Sequence, residues 1–247
     1  VKERRNFWLE FDIRNHFKLG PVKYHNVVAS IKGTKYPDEY VIISGHLDSY
    51  DVATGGIDCG TGIGPMMEAA RMIALSGAKP KRTILFVAFA GEEFGLLGAK
   101  SYVKTHAKEL GKIANLFNRD GGPTPPVGIS VPQAMYDDFV EVCKPVKEIR
   151  ADYPFEVKVA KPFKRPTQSG GTDASVFAVE GVPTFGFNTQ DIKGYNFSYG
   201  EIWHTERDLY TKNIPEYQEH AATVTAVVAL GIANLSKQLS REGMHKK

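Results

Sequence analysis

Two intensely apolar runs, each ending in acid or histidine, constrain this chain more than any other feature. Tyr40-Val41-Ile42-Ile43-Ser44-Gly45 leads into His46-Leu47-Asp48, and Thr83-Ile84-Leu85-Phe86-Val87-Ala88-Phe89-Ala90-Gly91 leads into Glu92-Glu93. Uninterrupted apolar runs of this length suit strands buried on both faces of a parallel sheet. Polar side chains released at the ends of such strands face the crevice where open α/β sheets bind ligands. Further acids and a histidine follow at Asp58, at Asp120 after the strand-like 113–118, and at His204 within Trp203-His204-Thr205.

The intervening pattern supports the same reading. Residues 27–31 and 40–44 read as two strands joined by a turn-rich stretch at 32–38. From Gly62, the apolar residues Met66, Met67, Ala69, Ala70, Met72, Ile73 and Leu75 predict a helix closed by Gly77 and Pro80. A strand at 83–89, a helix at 96–106 and a strand at 113–118 come next. Strands alternating with helices predict an α/β protein with a mainly parallel sheet. Beyond it, 121–126 reads as loop, and 133–148 as a helix whose end Pro145 disturbs. Residues 160–171 read as a surface loop, and 183–187 as a strand that tolerates Pro183 only at its first position. An aromatic loop at 194–200 and a long helix at 214–239 complete the chain.

Composition narrows the function classes. With 247 residues and 42% hydrophobic content, the chain can bury a core as one domain or two small ones. Its 31 basic and 28 acidic residues leave a net charge of +3, too slight to imply nucleic acid, and its basic runs lack the register of a backbone-binding stripe. No stretch reaches the ~18 to 20 apolar residues of a membrane span. Two cysteines, Cys59 and Cys143, make no disulfide framework.

The acids and histidines form a donor set. His46 and His204 offer imidazole nitrogens, while Asp58, Glu93 and Asp120 offer carboxylate oxygens, a combination that suits zinc, with cobalt or manganese as substitutes. Five ligands exceed one tetrahedral zinc and suffice for two if one carboxylate bridges. Asp58 is the expected bridge, because the glycines around it permit close backbone approach. Asp48, two residues from His46, would lie on the same side of an extended backbone and could accept the second imidazole N–H. Glu92 is assigned as the base that moves a proton from water to a leaving amine, and Glu93 as a ligand, although spacing alone leaves these two roles interchangeable. Tyr195 and Tyr199 are candidate oxyanion donors, and Phe197 joins them in a candidate apolar pocket. Each acid alone also reads as an ordinary turn or cap residue. The joint pattern argues otherwise, since polar groups flanking apolar strands are costly to bury unpartnered.

The motifs Gly45-His46-Leu47-Asp48-Ser49, Gly56-Ile57-Asp58-Cys59-Gly60-Thr61-Gly62, Gly91-Glu92-Glu93-Phe94-Gly95 with Gly98, Asn118-Arg119-Asp120 and Ile202-Trp203-His204-Thr205 resemble the zinc exopeptidase family of bacterial leucyl aminopeptidases and plasma glutamate carboxypeptidase. The likeness covers about residues 26–235. It implies a three-layer α/β/α sandwich around a mixed, mainly parallel sheet, and two zinc ions. By resemblance, His46 and Asp120 would hold one ion, Glu93 and His204 the other, and Asp58 would bridge. Glu92 matches the general acid/base, and Asp48 the carboxylate that orients His46. The run Ser169-Gly170-Gly171-Thr172-Asp173-Ala174 looks like the family's Ser-Asp-His segment without its histidine, which leaves Asp173 a bracing role. Cys59 stands where Asp or Asn is usual.

The expected activity is therefore that of a two-zinc exopeptidase acting on a peptide or dipeptide, with aminopeptidase preferred. Alternatives are a carboxypeptidase or dipeptidase, for which Arg119, Lys161, Lys164 or Arg165 would hold a free carboxylate, a cyclase or amide hydrolase of small substrates, and a non-catalytic metal-binding or receptor-type domain. Resemblance also implies a secreted or periplasmic setting. The expected organisation is one catalytic domain over 1–247, and the start at Val1 fits a fragment of a longer exported precursor. The oligomeric state is left open.

Overall fold

The computed structural model describes residues 7–16, 18 and 20–246. Chain order is β1 (Val27–Ile31), β2 (Tyr36–His46), α1 (Gly60–Leu75), β3 (Arg82–Phe89), α2 (Leu97–Thr105), β4 (Ile113–Asn118), β5 (Pro126–Val131), α3 (Tyr136–Ile149), β6 (Glu156–Val159), α4 (Asp173–Val179), β7 (Phe187–Thr189) and α5 (Pro215–Ala233). The main sheet has the order β1-β3-β2-β4, with β2 parallel to both neighbours and β1 antiparallel to β3 at the edge. A smaller sheet, β6-β5-β7, carries one parallel and one antiparallel pairing.

Strand periodicity explains the layers. Val41, Ile43, Ile84 and Phe86 face one core with Met66, Ile73, Phe139, Val224 and Val228 from α1, α3 and α5. The alternate residues Ile42, Val87 and Phe89 face a second core with Ala99, Tyr102, Val103, Val176 and Phe177 from α2 and α4. Successive side chains of a strand point to opposite faces, so an uninterrupted apolar run is needed when both faces are covered. Each such buried side chain contributes roughly 1.5–3 kcal/mol. The fold is α/β, with helices on both faces of a mixed sheet. After β2 the chain crosses the face carrying α1, and after β3 it crosses the face carrying α2. The loops leaving these neighbouring strands diverge and open a crevice at their carboxyl ends.

Several elements depart from the expected ones. The first two strands are not partners, because β3 pairs with β1 and separates it from β2. Residues 183–185 form no regular strand. They run beside β4, where Leu116 donates its N–H to the Pro183 carbonyl at 2.9 Å, and the Asn115 side chain exchanges two hydrogen bonds with the Phe185 backbone. A buried side-chain amide thus replaces the ladder until β7 joins the other sheet. Pro145 lies inside α3 without ending it. The last helix stops at Ala233, earlier than its apolar composition suggests. The short strands β5 and β6 are additions that the sequence reading did not contain. Among the described residues, no helix is long and apolar enough to cross a membrane.

His220 of α5 is fully buried, with Nε2–H donated to the Pro126 carbonyl at 2.8 Å and its ring stacked on Tyr153. Burial holds its pKa down at about 4, whereas an unfolded imidazole titrates near ~6.5. The unfolded chain therefore binds more protons between these values, and stability falls as pH drops through that window. Chemical denaturation across pH 4–7 should show His220→Gln losing this acid limb, a difference of roughly 2–3 kcal/mol at its low end.

Candidate metal centre

The carboxyl ends of the three parallel strands deliver the ligand types to one place. His46 is the last residue of β2, Glu92 and Glu93 follow β3, and Asp120 follows β4. Asp58 sits in the loop before α1, and its peptide bond to Cys59 is cis. His204 arrives on the turn after Tyr199–Glu201, with a left-handed backbone at φ 59°. His46 Nε2 lies 2.9 Å from Asp58 Oδ1 and 3.6 Å from Asp120 Oδ1. His204 Nε2 lies 2.9 Å from Glu93 Oε2 and 4.0 Å from Asp58 Oδ2. The two oxygens of Asp58 therefore turn toward different imidazoles, each with a further acid beside it.

The surroundings set the protonation of this cluster. Burial opposes a charge on His46, but Asp120 and Asp58 outweigh it and raise the imidazole's pKa. Burial likewise works against ionised Asp58, yet the His46 hydrogen bond holds its pKa low. Glu92 is pushed up to about 8 by burial and by the charge of Asp120. Asp173 is fully buried, neither of its oxygens has a partner among the described residues, and burial pushes it up to about 7. Burial and then Asp58 raise Glu93, whose Oε1 is also buried without a partner. Carboxylates so close together and partly unpartnered fit cations. Ligand atoms of His46, Asp58 and Glu93 lie within 4.8 Å of one another, as do those of His46, Cys59 and Asp120. A nitrogen-and-oxygen set of this kind suits zinc.

The bracing of these ligands is specific. His46 Nδ1 faces the Asp48 backbone carbonyl at 2.9 Å, so Nδ1 carries a hydrogen, and once a cation displaces the proton on Nε2 that atom would present its lone pair to the cluster. The Asp48 carboxylate, expected to hold the imidazole, instead stands 3.9 Å from Nδ1 and accepts the backbone N–H groups of Glu92 and Glu93 at 3.1 and 3.2 Å. The reason is that β2 ends at His46, so residue 48 no longer alternates as a strand residue would.

Asp58 is held by Asp208, a residue that no local pattern in the sequence singles out. The buried Asp208 carboxylate accepts the N–H of Ile57 at 2.6 Å and of Asp58 at 3.1 Å. Arg119 ties the same loop to β4. Pro65 inside α1 has no N–H for the Thr61 carbonyl, and Arg119 Nε supplies that bond at 2.8 Å. Its Nη2 donates to both the Gly122 and Thr124 carbonyls, so most of the Arg119 guanidinium is engaged with backbone. The Cys59 thiol is buried and donates to the Arg119 carbonyl.

A cavity of about 350 Å³ opens onto the cluster, lined by Asp58, Glu92, Glu93, Asp120 and His204 with Lys100, Trp203 and residues 169–171. Of the three aromatic candidates, only Tyr199 reaches the centre. Burial and the charge of Asp58 raise its hydroxyl's pKa. Tyr195 is half exposed and donates to Glu216, and Phe197 packs on the Tyr153, Ile214 and Tyr217 cluster. None of the three lines the cavity. The aromatic pocket inferred from their spacing is therefore not formed around them. Replacing Asp208 by Asn places an amide donor where two N–H groups need acceptors. Zinc titration should show about 10- to 100-fold weaker binding, with fold retained by circular dichroism.

Comparison with known proteins agrees with this centre. Residues 26–228 match the model of peptidase family M28. Carboxypeptidase Q of Rattus norvegicus is 32% identical over 231 residues, 92% of this chain and 46% of the relative. A peptidase M28 precursor of Shewanella amazonensis SB2B, known from its crystal structure, superposes with a TM-score of 0.71 at 32% identity, over 87% of this chain and 46% of the other. The zinc aminopeptidase BSAP of Bacillus subtilis shares the fold, with a TM-score of 0.64 at 21% identity over 90% of this chain and 53% of its own. The chain thus spans about half the length of the relatives it matches. Its matched length, and a cluster of ligand-type side chains at the ends of neighbouring strands, support one conclusion: this chain belongs to peptidase family M28.

Proposed function

We propose that the chain carries the catalytic centre of a two-zinc exopeptidase that hydrolyses a terminal peptide bond. The observation that carries this reading is Asp58, whose two oxygens face separate histidine–acid pairs, His46 with Asp120 and His204 with Glu93. Those five residues would hold the ions, with Asp58 shared. Bound there, zinc supplies a Lewis acid for the substrate carbonyl and lowers the pKa of a water towards ~7.

The chain's own groups do the rest. Glu92 lies in the same cavity, and cations beside it would draw its raised pKa back down and leave a carboxylate at neutral pH. It takes a proton from the attacking water and returns it to the leaving amine nitrogen. The Tyr199 hydroxyl, whose pKa the nearby Asp58 charge raises, is the chain's candidate donor to the carbonyl oxygen as negative charge builds there.

Which terminus the substrate offers turns on charge. Lys100 brings a cation to the cavity lining and makes no ion pair among the described residues. Arg165, an earlier candidate for this task, donates instead to the Val179 carbonyl, and neither Lys161 nor Lys164 lines the cavity. An unpaired ammonium beside the centre favours a free carboxylate. The carboxypeptidase or dipeptidase version is therefore preferred over the amino-terminal one, and the relatives named carboxypeptidase Q support it. The amino-terminal version keeps the support of the acid-rich cavity, which could hold a free α-amine.

Glu92→Gln should keep its zinc and lose about 10²- to 10⁴-fold in kcat, and a full rate in this variant would remove the base assignment. Mass spectrometry of zinc-loaded protein with free, N-blocked and C-amidated peptides should show cleavage abolished by amidation and preserved by N-blocking. The reverse pattern would establish an aminopeptidase.

A further inference from the structure

The two histidines of the centre are held in different ways. His46 is deeply buried, its side chain only 1% exposed, and its Nδ1 is fixed by the Asp48 carbonyl at 2.9 Å. His204 is 29% exposed, more than Asp58, Glu93 or Asp120, and no hydrogen bond holds its Nδ1 among the described residues. Its backbone is left-handed at φ 59°, a conformation that L side chains adopt only when their surroundings impose it. A metal-binding imidazole ordinarily takes its orientation from a hydrogen bond at the second nitrogen. Among the described residues, none supplies that bond to His204.

Aromatic faces stand in its place. The Tyr50 ring lies parallel to the imidazole, with centroids 4.1 Å apart and planes 5° apart. The Trp203 indole approaches the same imidazole with centroids 4.2 Å apart and planes tilted by 32°. Tyr50 belongs to the loop after β2, four residues beyond His46 and two beyond Asp48, so the stack joins the two halves of the centre. A parallel ring at this spacing leaves the imidazole free to slide in its plane but resists tilting. It thereby resists tilting of Nε2 away from Glu93 Oε2, 2.9 Å from it.

We propose that Tyr50 is a positioning residue that, with Trp203, clamps the His204 imidazole and so sets the affinity of the Glu93–His204 metal position. This rests on the two-zinc reading above. The stack needs the ring's face and not its hydroxyl. Tyr50 is 40% exposed, so its replacement removes little from the core. Within the described residues, its contribution is orientation.

The test is zinc binding by chelator competition on the full chain, parent against Tyr50→Ala, Tyr50→Leu and Tyr50→Phe, with circular dichroism and melting of the metal-free forms as the check on folding. Both Tyr50→Ala and Tyr50→Leu should weaken one of two sites by about 10- to 100-fold and leave the other within about twofold, while Tyr50→Phe stays near the parent. Two parent-like sites in the alanine and leucine variants would overturn the clamp while leaving the two-zinc reading standing. A phenylalanine variant as weak as the alanine one would overturn it by moving the effect to the hydroxyl. A parent protein that binds fewer than two zinc ions would overturn the two-zinc reading and this inference with it.

Discussion

Negative charge gathered around Asp58 is the constraint on which the rest of the structure depends. Its carboxylate lies between His46 and His204, with Asp120 and Glu93 close behind them. Buried carboxylates at these separations repel one another, and burial adds to the cost of every ionised form. The raised pKa of Glu92, Glu93 and Asp173 records that strain within the cluster. A fold can keep such a cluster only by pinning it mechanically and by giving it cations to hold.

The pinning comes from rigid elements whose ends converge. Parallel strands β2, β3 and β4 release their polar residues on one edge of a sheet buried on both faces. The loop carrying Asp58 belongs to no strand and is tied from two directions. Asp208 takes its N–H groups, and Arg119 completes the helix turn that Pro65 leaves open. Asp48 couples the ends of β2 and β3 through its carboxylate, while its carbonyl orients His46. Sites held on strands and braced loops keep their geometry better than sites on free loops. His204, the ligand type on the most exposed segment, depends instead on Tyr50 and Trp203.

The parts of this arrangement that local pattern encodes were legible in the sequence. Apolar runs before His46 and Glu92 marked strands covered on both sides, and spacing marked the helices between them. Strand order was not legible. Whether β1 pairs with β2 or β3 is decided by contacts far apart in the chain. Asp208 was invisible for the same reason, since it reaches Asp58 across 150 residues. Asp48 reaches His46 with its carbonyl and not its carboxylate because the strand ends two residues before it. Tyr195 and Phe197 share a loop with Tyr199, yet only Tyr199 turns toward Asp58. The other two serve a neighbouring aromatic cluster, a distinction that composition does not carry.

The chain belongs to peptidase family M28, and it matches about half the length of relatives such as carboxypeptidase Q. The central claim is narrower than that membership: Asp58 bridges two metal ions. Anomalous X-ray diffraction at the zinc edge from zinc-soaked crystals tests it directly. Two peaks ~3.5–4 Å apart are expected, one beside His46 and Asp120 and one beside Glu93 and His204, with Asp58 contacting both. A single peak, or two peaks that share no contact with Asp58, would contradict it.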